Sequence, residues 1–131
     1  MPKILSVEDE PAIAELVRRR LAAAGFEVIQ AKNGHKALEK AAAELPDLIL
    51  MDINLGTFSP EGWEVNRLLK QDPATASIPV IALTAHAQQV EHRERAFREG
   101  FVEHVTKPID FDLLLRTVGR FLGGRKDDDP G

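Results

Sequence analysis

Five short apolar runs recur along this chain, and four of them end on residues whose side chains handle phosphate or metal. Ile4-Leu5-Ser6-Val7 leads into Glu8 and Asp9, Leu48-Ile49-Leu50-Met51 into Asp52, Val80-Ile81-Ala82-Leu83 into Thr84, and Phe101 to Val105 into Thr106, Lys107 and Pro108. Only the run Phe26-Glu27-Val28-Ile29 ends blandly, at Gln30. Amphipathic stretches separate the runs, and strands alternating with helices build a parallel sheet, because parallel strands need right-handed crossover connections. Strands 1, 3 and 4 are nearly continuous aliphatic runs, as a strand covered on both faces requires. In an open sheet of this kind the strand ends of one polarity share an edge, and ligands bind in the crevice there. Residues distant in sequence therefore converge.

The amphipathic stretches fix five helices. After Asp9, Pro11 suits a first helical turn, and Ile13, Leu16, Val17, Leu21 and Ala24 follow on one face until Gly25. The spacing predicts a second helix over about 33–44 carrying Ala37, Leu38, Ala41 and Ala42, closed by Pro46. A third, from about Pro60 to Gln71, presents Val65, Leu68 and Leu69 and stops at Asp72-Pro73. The fourth, between His86 and Glu99, has only Val90, Ala96 and Phe97 to anchor it, so it is expected to be mobile. The fifth, roughly Asp110 to Leu122, turns Phe111, Leu114, Leu115, Val118 and Phe121 inward.

Composition narrows the classes. At 131 residues and 44% hydrophobic content the chain is one domain with a real core. We place that domain at residues 1–122 and read 123–131, which lack periodicity, as a flexible C-terminal tail. With no cysteine, disulfides and thiolate metal sites are excluded. A net charge of −4 offers no basic footprint for direct nucleic-acid binding. No segment approaches the roughly 18 to 20 apolar residues of a membrane span, and the N-terminus lacks a signal-peptide pattern. A cytoplasmic location is the expectation.

Glu8, Asp9 and Asp52 would meet on one edge. Two such charges about 4 Å apart repel by roughly 4 kcal/mol at an effective dielectric of about 20. A hard divalent cation relieves this, and magnesium prefers oxygen ligands. Each residue also has a local explanation: Glu8, Asp9 and Glu10 as first-turn charges of a helix, Asp52 as a turn former, Thr84 as a cap, Lys107 as a solvated loop residue. None of these explains why all of them end strands on the same edge.

The acidic pair in ILSVEDE, the aspartate in LILMDINL, the threonine in VIALTAHA and the lysine in HVTKPI resemble the response-regulator receiver domain of two-component signalling, over about Lys3 to Leu122. The resemblance implies a three-layer, flavodoxin-like α/β fold with five helices and strand order 2-1-3-4-5, an order common among doubly wound sheets. It implies Asp52 as phosphoacceptor, and Glu8, Asp9, Asp52 and the backbone carbonyl of Asn54 as ligands of Mg2+, with Mn2+ an acceptable substitute. It implies Lys107 and Thr84 as phosphate partners, Ala85 as a small residue permitting phosphate entry, and Asn54 and His86 as residues tuning aspartyl-phosphate lifetime. Pro108 is expected after a cis bond. His104 stands where the family places a switching aromatic. Glu8 replaces the commoner aspartate, the loop from Ile53 to Glu61 is longer than usual, and Gly56 stands where a proline is typical.

The expected function is that of a phosphoacceptor switch. A histidine kinase or histidine phosphotransfer protein would donate to Asp52, and the face made by helix 4, strand 5 and helix 5 would engage a downstream protein. The chain would act as a monomer or a phosphorylation-dependent dimer, and not as a classical enzyme. A degenerate receiver working by binding alone, or the receiver half of a longer regulator, are the alternatives. An aspartyl-phosphate hydrolase of the haloacid dehalogenase type would need a second acid two residues after Asp52, where Asn54 stands.

Overall fold

The computed structural model describes residues 1–53, 62–84 and 90–122, without the side chains of 90–93. Five strands, β1 (Lys3–Val7), β2 (Glu27–Ala31), β3 (Leu48–Asp52), β4 (Val80–Thr84) and β5 (Glu103–Thr106), alternate with five helices. These are α1 (Pro11–Ala23), α2 (Gly34–Glu44), α3 (Gly62–Gln71), α4 (Val90–Arg98) and α5 (Phe111–Leu122). All strand pairs are parallel and the order is β2-β1-β3-β4-β5, as expected.

Successive side chains of a strand face opposite sides, and this period divides the core. Leu5, Val7, Ile49, Met51, Val80 and Ala82 pack with Ala37, Ala41, Val65 and Leu69 of α2 and α3. Ile4, Leu48, Leu50, Ile81, Leu83 and Val105 pack with Val17 and Leu21 of α1 and Leu114 and Val118 of α5. The sheet is therefore buried between two helical layers.

Local signals set the helix ends. Pro11 opens α1, and Gly25, at φ 98, supplies the left-handed turn that leads into β2. Asn33 lies just outside α2 and caps it, its Oδ1 accepting from the Lys36 N–H at 2.8 Å. After α3, the Thr75 hydroxyl donates to the Leu69 carbonyl at 2.7 Å, and Lys70 Nζ donates to the carbonyls of Ala76 and Ile78. Burial lowers the Lys70 pKa.

Several expectations need correction. Leu16 is 45% exposed and Phe97 53%, while Leu68, Ala24 and Ala42 are exposed as well. Each sits at helical spacing but beyond the stripe that meets the sheet. β2 begins and ends later than the apolar run. Phe101 and Val102 precede β5, because Phe101 is buried against Trp63 instead, ring centroids 5.6 Å apart and edge-on. The starts expected for α3 at Pro60 and for α4 at His86 lie outside the described residues.

Candidate functional site

Backbone hydrogen bonds carry the pairing of neighbouring strands past their C-terminal ends. The Glu8 N–H donates to the Ala31 carbonyl at 3.0 Å, that of Ile53 to Leu83 at 3.1 Å, and that of Lys107 to Thr84 at 2.9 Å. Register adds that Asp52 lies opposite Leu83, and Thr84 opposite Thr106. Asp52 and Thr84 are buried at these ends.

Ligand atoms of Glu8, Asp9 and Asp52 lie within 4.8 Å of one another. Glu8 and Asp52 are buried and Asp9 is exposed, so the cluster opens to solvent on the Asp9 side. Lys107 Nζ stands 3.1 Å from Asp52 Oδ1 and 3.7 Å from Glu8 Oε1. Burial works against the Lys107 charge, but its hydrogen bond to Asp52 and the charges of Asp52, Glu8 and Glu10 outweigh that and raise its pKa. Burial and the neighbouring Asp52 charge push the Glu8 pKa up to about 7, against the opposing pull of Lys107 and the Glu10 amide.

The donor set fits magnesium. One oxygen of Glu8 accepts from the Glu10 N–H at 3.3 Å, while the other, Oε1, is buried without a hydrogen-bond partner. A buried carboxylate oxygen that makes no hydrogen bond, with only the Lys107 charge 3.7 Å away, is costly. Here it faces two further carboxylates with no sulfur or imidazole in the group, which is the chemistry of a hard, oxygen-preferring cation.

Gly62 escaped the sequence reading. A Cβ there would lie 2.5 Å from the Asp52 carbonyl oxygen and 2.8 Å from Ile53 Cα, and the Gly62 N–H donates to the Ile53 carbonyl at 2.8 Å. The first turn of α3 is thus pressed onto the backbone that carries Asp52, and only glycine fits. A glycine at the head of an amphipathic stretch was the available signal. Behind it Arg95 stacks on Trp63, 4.0 Å from the ring centroid, and Asn66 Nδ2 donates to the Glu99 carbonyl at 2.6 Å.

His104 is partly buried on β5, edge-on to the Phe97 ring at 5.8 Å. The Lys107–Pro108 bond is cis, as expected. Asn54, Ala85, His86 and Gly56 lie outside the described residues, as do 123–131.

A doubly wound α/β protein with a carboxylate cluster and an ammonium at its strand ends is what fold and site define together. Comparison with known proteins then places it: the chain belongs to the response regulator receiver domain family, whose model matches residues 4–119. It is 40% identical over 124 residues to the polar-differentiation response regulator DivK of Brucella anthropi, covering 94% of this chain and 98% of that protein. It is 38% identical over 122 residues to the DNA-binding dual master transcriptional regulator RpaA of Synechocystis, covering 93% of this chain but only 49% of RpaA. Among solved structures it resembles the Vibrio cholerae chemotaxis protein CheY4, with TM-score 0.84, 29% identity, and coverage of 92% and 98%. It also resembles the receiver domain of a sensor histidine kinase from Pseudomonas aeruginosa, with TM-score 0.83, 30% identity, and coverage of 94% and 98%. That structure has a magnesium ion coordinated in its active-site cleft. Among the described residues no helix is long and apolar enough to cross a membrane.

Proposed function

We propose that this chain is a phosphoacceptor response regulator that takes a phosphoryl group on Asp52 from a histidine kinase or histidine phosphotransfer protein. The observation that carries the reading is the Lys107 ammonium 3.1 Å from Asp52, beside three carboxylates whose ligand atoms lie within 4.8 Å of one another. Asp52 is the nucleophile: an oxygen of its carboxylate attacks phosphorus in line as the donor nitrogen leaves. Lys107 holds Asp52 before transfer and neutralises a phosphoryl oxygen after it. Thr84, buried at the end of β4, donates its hydroxyl to another.

Glu8, Asp9, Asp52 and the Asn54 carbonyl would hold Mg2+, or Mn2+, which when bound supplies positive charge against the phosphoryl oxygens. Phosphate entry past Ala85, and lifetime control by Asn54 and His86, complete the assignment. Movement of Thr84 toward the phosphate and of His104 toward the core would reshape the face of α4, β5 and α5, through which a downstream protein is engaged. A phosphate shifts such a population only through differential contacts, and Thr84 and Lys107 supply them. We assign a cytoplasmic location, no direct nucleic-acid contact, and a monomer or phosphorylation-dependent dimer.

The test is incubation with acetyl phosphate, with and without magnesium, followed by intact mass. One added phosphoryl group that needs the metal and vanishes in Asp52→Asn is expected. Metal-independent labelling, or undiminished labelling of the variant, refutes the assignment.

A further inference from the structure

A cavity of about 470 Å3 lies beside the carboxylate cluster, between α1, the end of β2 and the first half of α2. Glu8 and Asp9 form one end of its lining, and Lys32, Lys36 and Lys40 line another part. Volumes of a few hundred cubic ångströms suit small-molecule ligands. Lys36 and Lys40 are four residues apart on α2, so they share a face about 6 Å apart along the axis. Lys32 lies just before the Asn33 cap and extends the row.

The charge of this wall is available. Glu15 also lines the cavity, but Arg18 and Arg19 already engage it at 2.6 and 3.2 Å. Lys40 Nζ donates to the Gln30 carbonyl, a neutral partner, at 2.7 Å. Lys36 pairs with exposed Glu39 at 3.3 Å, and such exposed pairs are weak. A chain of net charge −4 thus sets a cationic wall next to its carboxylate cluster.

We infer that this lysine-lined cavity is the capture site for small anionic phosphodonors of the acyl phosphate class, which would otherwise be repelled by the carboxylates beside Asp52. The inference deepens the phosphoacceptor reading and rests on it. Lys32 and Lys36 attract the donor's charged phosphoryl group into the cavity, from which it passes over the Glu8 and Asp9 end to Asp52. An Asp52 carboxylate oxygen forms the new O–P bond, the bond between phosphorus and the acyl oxygen breaks, and the carboxylate leaves with the electron pair. No proton is consumed.

The experiment is the rate of phosphorylation of the full chain by acetyl phosphate in magnesium, followed by intact mass across donor concentration and salt. Lys32→Gln/Lys36→Gln should raise the half-saturating donor concentration by about threefold or more and flatten the salt dependence, as loss of steering charge does. Glu39→Gln, which frees Lys36, should move it the other way. Lys3→Gln is the control for the single variants Lys32→Gln and Lys36→Gln: like each of them it removes one charge, but from a lysine paired with Glu44 at the opposite edge of the sheet. Equal slowing in Lys3→Gln, or an unchanged half-saturating concentration in the double variant, overturns the inference and leaves the assignment of Asp52 intact. Absence of any labelling of the unmodified chain overturns both.

Discussion

Replacing Glu8 by glutamine should remove part of the pH dependence of folding in the metal-free protein. Glu8 titrates near 7 in the folded chain against 4.5 for an ordinary glutamate, because burial and Asp52 disfavour its charge. Between those two values the folded state holds a proton that the unfolded chain releases. Stability must therefore fall as pH rises through this window, and the loss is complete above pH 7. At about 1.4 kcal/mol per pH unit the gap converts to at most roughly 3 to 4 kcal/mol, part of it set by the Asp52 charge. Glutamine has nearly the same shape and no charge, so Glu8→Gln avoids this loss. Urea melts in chelator at pH 5 and pH 8, read by circular dichroism, isolate the effect as the difference between the two proteins. The variant should gain on the unmodified chain by about 1 to 3 kcal/mol from pH 5 to pH 8. Saturating magnesium should then favour the unmodified chain, since ligand binding to the native state adds stability. Parallel stability curves in chelator, or a gain of the opposite sign, would refute the reasoning.

Gly62→Ala should cost about 1 to 3 kcal/mol in the same melts, since its Cβ meets backbone of Asp52 and Ile53 and cannot be absorbed by a side-chain rotation. Leu45→Gly should gain up to about 1 kcal/mol, because Leu45 closes α2 at φ 45, where a side chain is strained. Arg95→Ala should cost about 0.5 to 1 kcal/mol by loss of stacking on Trp63, and should shift the emission of this single tryptophan. Equal stability of any of these variants and the parent removes the corresponding contact from the energetic account.

The sheet was legible because β1, β3 and β4 are covered on both sides, so their aliphatic runs stand out from the stripes of the helices. Helix faces were less legible. Helical spacing puts Leu16 next to Val17 and Leu68 next to Leu69 without saying where the stripe meets the sheet, and in each pair only the second is buried. Phe101 read as strand because hydrophobicity alone cannot separate burial in a ladder from burial against Trp63. The meeting of Glu8, Asp9, Asp52 and Lys107 was readable from strand polarity. The tight seat of Gly62 and the lysine wall of α2 were not, since both depend on tertiary distance; in sequence α2 shows its alanines, and its lysines look like an ordinary solvated face.

These unread features bear on the same electrostatic problem. Three carboxylates cluster where one ammonium, Lys107, stands beside two of them, so the metal-free cluster carries more negative charge than Lys107 balances, and a proton on Glu8 is one relief. A divalent cation is another, and the two compete for the same carboxylate, which couples metal affinity to pH. Neither would serve if Asp52 could retreat into solvent. Gly62 closes the space behind its backbone and the bonds to Leu83 and from Gly62 fix Ile53 next to it, so Asp52 is held in the repulsive position. Fixing it there costs stability, and the same fixed charge is what would favour a cation and, on the proposed function, phosphoryl transfer at this edge of the sheet.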